Sequence, residues 1–241
     1  QPDAHIAIGL TQAQLQIQHR QFEQALATLN HLREMSPHHP YVLKLLHQLF
    51  TRLSEWEKVL ELLPKLRKYR VYNPERIDDI EVIAWAELLG VKAQREGLPA
   101  VNDLWLKLPK NVRKRPQTQL AYAEILADQH QYDQLELHIK DSMKQQWQEP
   151  LAQLYGMIES QEPSKTLATA ETWLKHKPHN TTLLTALGKL SLRAQLWGKA
   201  KSYLEKSIAQ KPTAEAHYYL GQAYRELGHP LQAQEADQRG L

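Results

Sequence analysis

Apolar residues recur at helical spacing along nearly the whole chain, and towards its carboxyl end the recurrence becomes one pattern written twice. Between Thr181 and Leu241, Leu184, Leu187 and Gly188 precede Ala200, Leu204 and Pro212, and then Leu220 and Gly221 precede Tyr224 and Ala233. The two glycines are 33 residues apart, and each is followed by its alanine after 12. A fixed period of this length, with small residues set among large apolar ones, marks stacked helical hairpins. The small residues predict a close crossing of antiparallel helices, with Gly188 facing Ala200 and the leucines filling the space around them.

Carried towards the amino end, the pattern predicts a first helix ending near His19 and a second with the stripe Phe22, Ala25, Leu29 and Leu32, Ala13 standing in the place of Gly188. Pro40 opens the next helix, with Leu43, Leu46, Leu49 and Phe50 apolar, and Trp56, Val59, Leu60, Leu63 and Leu66 continue on its return. His47 takes the glycine's place there and implies wider packing. Pro64 should kink the returning helix or end its regular hydrogen bonding. A helix from Pro74 to about Arg95 carries Ile77, Ile80, Ile83, Ala84, Leu88 and Val91, and a shorter one closes at Pro109. After the basic stretch Lys110 to Arg115, a hairpin begins at Pro116, with Tyr122 and Ala123 in the Leu-Gly places and Tyr132, Leu135 and Ile139 on the return. Two shorter helices follow, 150–158 and 164–175, and Asn180 is placed to cap the next.

The expected fold is all-α: a right-handed α-solenoid of antiparallel helical hairpins, continuous through residues 1–72, a divergent hairpin at 73–115, and 116–241. Leu184, Leu187, Gly188, Ala200, Leu204 and Pro212 resemble the tetratricopeptide repeat, with Ser191 where an aromatic is usual. The second copy has Asp237 where a large apolar residue is expected, so its second helix should pack less regularly.

Composition narrows the chemistry. The 241 residues include no cysteine, which excludes disulfides and thiolate metal sites. A formal charge of +3 is too small to argue for nucleic acid. No run of about eighteen apolar residues spans a bilayer, and Gln1 and Leu241 read as boundaries within a longer chain. No nucleophile elbow, phosphate-binding loop or His-Glu-x-x-His is present, so a non-enzymatic role is expected. His38 and His39 lie in a turn and read as solvated, not as metal ligands. The tryptophans Trp85, Trp105 and Trp173 fall on apolar stripes and read as core, whereas Trp56 and Trp197, like Tyr132, precede returning helices.

Two sets of residues are candidates for binding. The basic residues Arg67, Lys68, Arg70, Lys110, Arg113, Lys114 and Arg115 form one face if the divergent hairpin brings their loops together. Such a face suits an anionic membrane surface or an acidic partner, and ordinary solvated charge is the alternative. Resemblance to the repeat implies a groove lined by first helices, onto which Tyr41, Lys44, Gln48, Arg52, Lys189, Arg193, Tyr218, Gln222 and Arg225 fall. Lysine and arginine there would pair with carboxylates of a protein or peptide, and tyrosine adds flat contact area.

Ser36 to Tyr41 (SPHHPY), Leu53 to Pro64 with Trp56, Leu104 to Pro109 (LWLKLP), and Lys211 to Leu241 with its Tyr219-Leu220, His229-Pro230, Ala233 and Arg239-Gly240-Leu241 resemble the HemY-type proteins of proteobacteria. That resemblance implies an inner-membrane protein associated with late haem biosynthesis, with two membrane helices upstream of Gln1 and this part on the cytoplasmic side. Its partners would be haem-biosynthesis enzymes, held by a scaffold without a cofactor of its own. Direct binding of haem or a porphyrin, through its propionates, is the alternative from another class.

Overall fold

The computed structural model describes residues 2–240, with side chains from Ala4 onward. Among these residues there are fifteen helices and no strand. They are α1 (Pro2–Gln18), α2 (Phe22–Met35), α3 (Pro40–Arg52), α4 (Trp56–Lys68), α5 (Pro74–Glu96), α6 (Leu98–Lys107), α7 (Lys110–Arg113), α8 (Pro116–Asp128), α9 (Tyr132–Gln145), α10 (Glu149–Tyr155), α11 (Pro163–Leu174), α12 (Thr181–Arg193), α13 (Trp197–Gln210), α14 (Ala214–Glu226) and α15 (Pro230–Arg239). The chain divides within α8 into two units, Gln1–Ala121 and Tyr122–Leu241.

In the first unit α1 packs on α2, α3 on α4 and α5 on α6, and α1 also lies against α3. In the second, α12 packs on α13 and α14 on α15, while α10, α12 and α14 follow one another in contact. First helices therefore stand side by side in both units. Side chains fill the hairpins as the spacing predicts, with Leu29, Leu43, Leu46, Leu49 and Leu66 wholly buried in the first unit and Leu135, Ile139, Leu187 and Leu204 in the second. Asn180 caps α12, its Oδ1 accepting from Leu183 N–H at 2.8 Å.

One turn recurs. Arg20, Ser54, His130, Gln195 and Gly228 adopt positive φ, each two residues before its returning helix. At Gln195 the N–H bonds the Leu192 carbonyl and the next N–H, of Leu196, reaches back to Ser191; the other four repeat this pair of bonds. This is the Schellman closure, in which a residue with left-handed backbone satisfies the last carbonyls of a helix.

A Cβ on Gly188 would lie 2.5 Å from Leu204 Cγ, so Leu204 is its nearest neighbour on the returning helix, and in the second copy the Ala233 carbonyl lies 3.4 Å from the same point on Gly221. On α5, Ile83 is exposed while Val82 and Leu89 are buried. The 23-residue helix is covered by α4 and α6 on different sides, so no single stripe describes it. Lys110 to Arg113 is a helical turn, not loop, because Val112 is buried beneath it. Pro64 does not end α4, which runs on to Lys68 with the proline on its solvent side. Trp85, Trp105 and Trp173 are half-buried rather than core.

His47 is buried, with Nδ1 3.0 Å from Tyr72 Oη and Thr51 Oγ1 bonded to its backbone carbonyl. Burial, helped by the Arg76 guanidinium, lowers its pKa to about 4. The unfolded chain protonates this group near its ordinary 6.5, so stability present above that pH is lost as pH falls towards 4. The loss should reach about 3 kcal/mol, read as a fall in denaturant midpoint between pH about 7 and about 4.5. His47→Gln should flatten that dependence.

Gly188→Ala should lower stability by about 1–3 kcal/mol despite alanine's better helix propensity, because Leu204 must leave its seat. Gly90, in α5, has nothing within 4 Å of its Cβ direction. Gly90→Ala should instead raise the melting temperature, by about 0.5–1 kcal/mol of helix stability.

Candidate functional site

The groove candidates of the first unit converge on α1. Tyr41 Oη donates to Gln14 Oε1 at 3.2 Å, Lys44 Nζ lies 5.9 Å from the Tyr41 ring centroid, and Arg52 donates to the Ile17 carbonyl at 3.4 Å. Gln48 is exposed beside them. The last turn of α1 therefore receives a cation from the end of α3, a favourable place for positive charge at a helix C-terminus.

The second unit repeats this device. Arg193, at the end of α12, donates to the carbonyl of Gly156 just past α10, at 2.5 Å. Gly156 itself lets α10 approach Ala186, whose Cα would lie 2.8 Å from any added Cβ. Arg225 pairs with Asp237 at 2.6 Å, and Asp237 sits over Gly221, where an added Cβ would collide with it. The acid in place of an apolar residue is thus accommodated by glycine on one side and arginine on the other. Tyr218 is half exposed, its ring edge-on to Tyr219, and Gln222 is half-buried.

Lys189 is the unusual member of the set. Its side chain is only 7% exposed, and Nζ donates to Glu215 Oε1 at 2.8 Å and stands 5.0 Å from the Tyr219 ring centroid. It borders a polar cavity of about 150 Å³ shared with Gln153, Thr182, Lys211, Thr213 and Glu215. An ammonium has three donors, and among the described residues one hydrogen bond is accounted for, to a carboxylate that is itself 44% exposed. Gln153, Thr182 and Lys211 were not legible as groove residues, since they depend on how α10, α12 and α14 are set against each other.

The two basic stretches both reach α5. Arg67 pairs with Asp78 at 3.0 Å and Glu81 at 3.5 Å, and Arg115 approaches Asp79 at 3.8 Å. Acidic residues on α5 thus offset part of that charge. Lys68 lies 5.4 Å from the Tyr69 ring centroid, Arg70 holds a positive φ after α4, Lys110 and Lys114 are exposed, and Arg113 is half-buried. His39 caps α3, accepting from Tyr41 N–H, and His38 stacks on Tyr69. Among the described residues no group of three or more His, Asp and Glu could hold a metal ion, and no helix is long and apolar enough to cross a membrane.

No protein-family model matches the chain. It is similar to Protein HemY of Escherichia coli strain K12 and of Shigella flexneri, at 24% identity over 236 residues, in agreement with the resemblance seen in the sequence. The match takes in 98% of this chain and 59% of each of those proteins, so the chain spans less than two thirds of their length. Among solved structures it is similar to the Cut9-Hcn1 hetero-tetramer of the APC/C (TM-score 0.48, 14% identity, 99% of this chain and 54% of that one). MamA (MSR-1 C2) gives a TM-score of 0.44 at 11% identity over 67% of this chain and 95% of that one.

Removal of Glu215 would leave Lys189 buried without its partner. Glu215→Ala should therefore cost about 1–3 kcal/mol in denaturant unfolding, whereas Lys189→Met, which fills the same space without a charge, should be within about 1 kcal/mol of wild type. Equal costs would mean that the pair itself holds the fold together.

Proposed function

We propose that this chain is the helical-repeat part of a non-enzymatic, membrane-tethered scaffold that holds an acidic, extended segment of a partner protein along α10, α12 and α14. The observation that carries this reading is the buried Lys189 beside a polar cavity. Burying an ammonium is costly unless acceptors meet it, and a half-exposed glutamate is a partner that an incoming carboxylate can replace. The cavity, about 150 Å³, has room for one acidic side chain, with Lys211 and Thr182 at hand to bond it and Tyr218 exposed nearby to add contact area. Arg193 and Arg225 act in this reading as braces that keep the lining rigid, which lowers the ordering cost of binding.

The likeness to HemY supports a link to late haem biosynthesis, with haem-biosynthesis enzymes as partners and an inner-membrane anchor outside this chain. Lys211→Glu combined with Tyr218→Ala changes two exposed side chains and should leave the fold intact. It should weaken binding of acidic peptides, read by fluorescence anisotropy against a peptide array, by about ten-fold or more, equivalent to about 1.4 kcal/mol. Undiminished binding by the folded variant would remove the groove from consideration. Affinity capture from membranes with the full-length protein tests the haem link separately: haem-pathway enzymes should be enriched, and their absence would sink that link while leaving the groove standing.

A further inference from the structure

The returning helices of the first two hairpins, α2 and α4, border an open cleft of about 300 Å³. Leu26, Asn30 and Arg33 line it from α2, and Lys58, Leu62 and Lys65 from α4, each set spaced to share one helix face. Phe50, from the end of α3, is also buried against it. Its apolar part is thus Phe50, Leu62 and Leu26. Lys58 Nζ lies 5.7 Å from the Phe50 ring centroid and is shared with Glu55 at 3.4 Å. The side chains of Arg33 and Lys65 make no hydrogen bond or ion pair among the described residues. Three cations face one carboxylate, Glu61, at the rim.

The second unit contains the same place with its helices bridged by a carboxylate. Trp56 opens α4 and Trp197 opens α13, and in both cases the preceding returning helix starts 34 residues earlier, at Phe22 and Pro163. On that register Lys58 corresponds to Lys199, Leu62 to Tyr203, Asn30 to Glu171 and Arg33 to Leu174. Glu171 accepts from Lys199 at 2.9 Å and from Tyr203 at 2.7 Å, so α11 and α13 satisfy each other across the gap. In the first unit the acid at this position is an amide and Arg33 is added, while Glu61 stands where the second unit has Ser202 and Lys65 has its counterpart in Lys206, so the first gap is more positive by one charge and, among the described residues, has no bridge across it.

From this contrast we propose that the cleft between α2 and α4 binds a small organic monoanion with a flat apolar body. The ring system rests on Phe50, Leu26 and Leu62, and the carboxylate lies between Arg33 and Lys65. A volume of about 300 Å³ is at the lower end of the range for small-molecule pockets, which are mostly apolar with a few placed polar groups. Lys58 contributes charge from the side of Phe50, and Asn30 is left to hydrogen-bond the ligand where Glu171 would repel it.

The test uses 2-naphthoate as probe and 2-naphthamide as its neutral counterpart, followed by amide chemical shifts and isothermal titration on the intact chain. Saturable binding of 2-naphthoate with shifts confined to α2, the end of α3 and α4 is expected, and binding of the amide about ten-fold weaker or more. Asn30→Glu, which installs the acid of the second unit, should abolish binding without lowering the melting temperature; Arg33→Gln with Lys65→Gln should weaken it about ten-fold. The proposal is overturned if no saturable shift occurs at millimolar probe, if acid and amide bind alike, or if folded Asn30→Glu binds as wild type does.

Discussion

A side chain seated on a bare backbone, Leu204 over Gly188, sets how closely two helices of a hairpin can stand, and much of the packing around it depends on that approach. The same contact recurs with different partners: Leu32 over Gly9, Asp237 over Gly221, and, between successive first helices, Ala186 against Gly156. Close packing leaves little solvent between helices, so polar groups near the crossings must be matched from within the hairpin or from the next one. Arginines at the ends of α3 and α12 do this by reaching back to carbonyls of the preceding first helix. One residue type, in one position of two hairpins, thereby fastens each first helix to the one before it.

The fold was largely legible in the sequence because its period is short and its rules are local. Helical spacing, prolines at first turns and the Asn180 cap all act within a few residues, and the observed helices follow them. What escaped was tertiary. Gly188 could be recognised as a crossing point, but which side chain lies nearest to it, Leu204, depends on the height at which α13 meets α12. Ile83 proved exposed and Val82 buried because a helix covered on two sides has no single apolar stripe.

The candidate site was legible only in part, and for a related reason. Position along a first helix identified Lys189, Arg193 and Arg225, yet their partners Glu215, Gly156 and Asp237 lie 26, 37 and 12 residues away. Whether a groove cation is free for a ligand or already engaged is settled by those partners. Lys211 and Thr182, which border the cavity at Lys189, carry no signal of their own in the sequence. The trough between α2 and α4 was equally hidden, since its meaning emerges from comparison with Glu171 and Lys199 in the second unit.

The recurring left-handed turn has a consequence for how such a chain acquires its structure. Each of those turns joins helices adjacent in sequence and is closed by hydrogen bonds spanning only three and five residues, as at Gln195 and Leu196. Contacts of low sequence separation form early and at small entropic cost, so a hairpin can close before its neighbours exist. An array whose elements touch mainly the next one can begin folding at any hairpin and grow in both directions. Only Gly228 among the five turns uses glycine, so the remaining four hold a conformation disfavoured for their residues until the helices on either side have docked. Turn closure and helix docking are therefore one cooperative event, and the natural unit of assembly and of fraying is the whole hairpin.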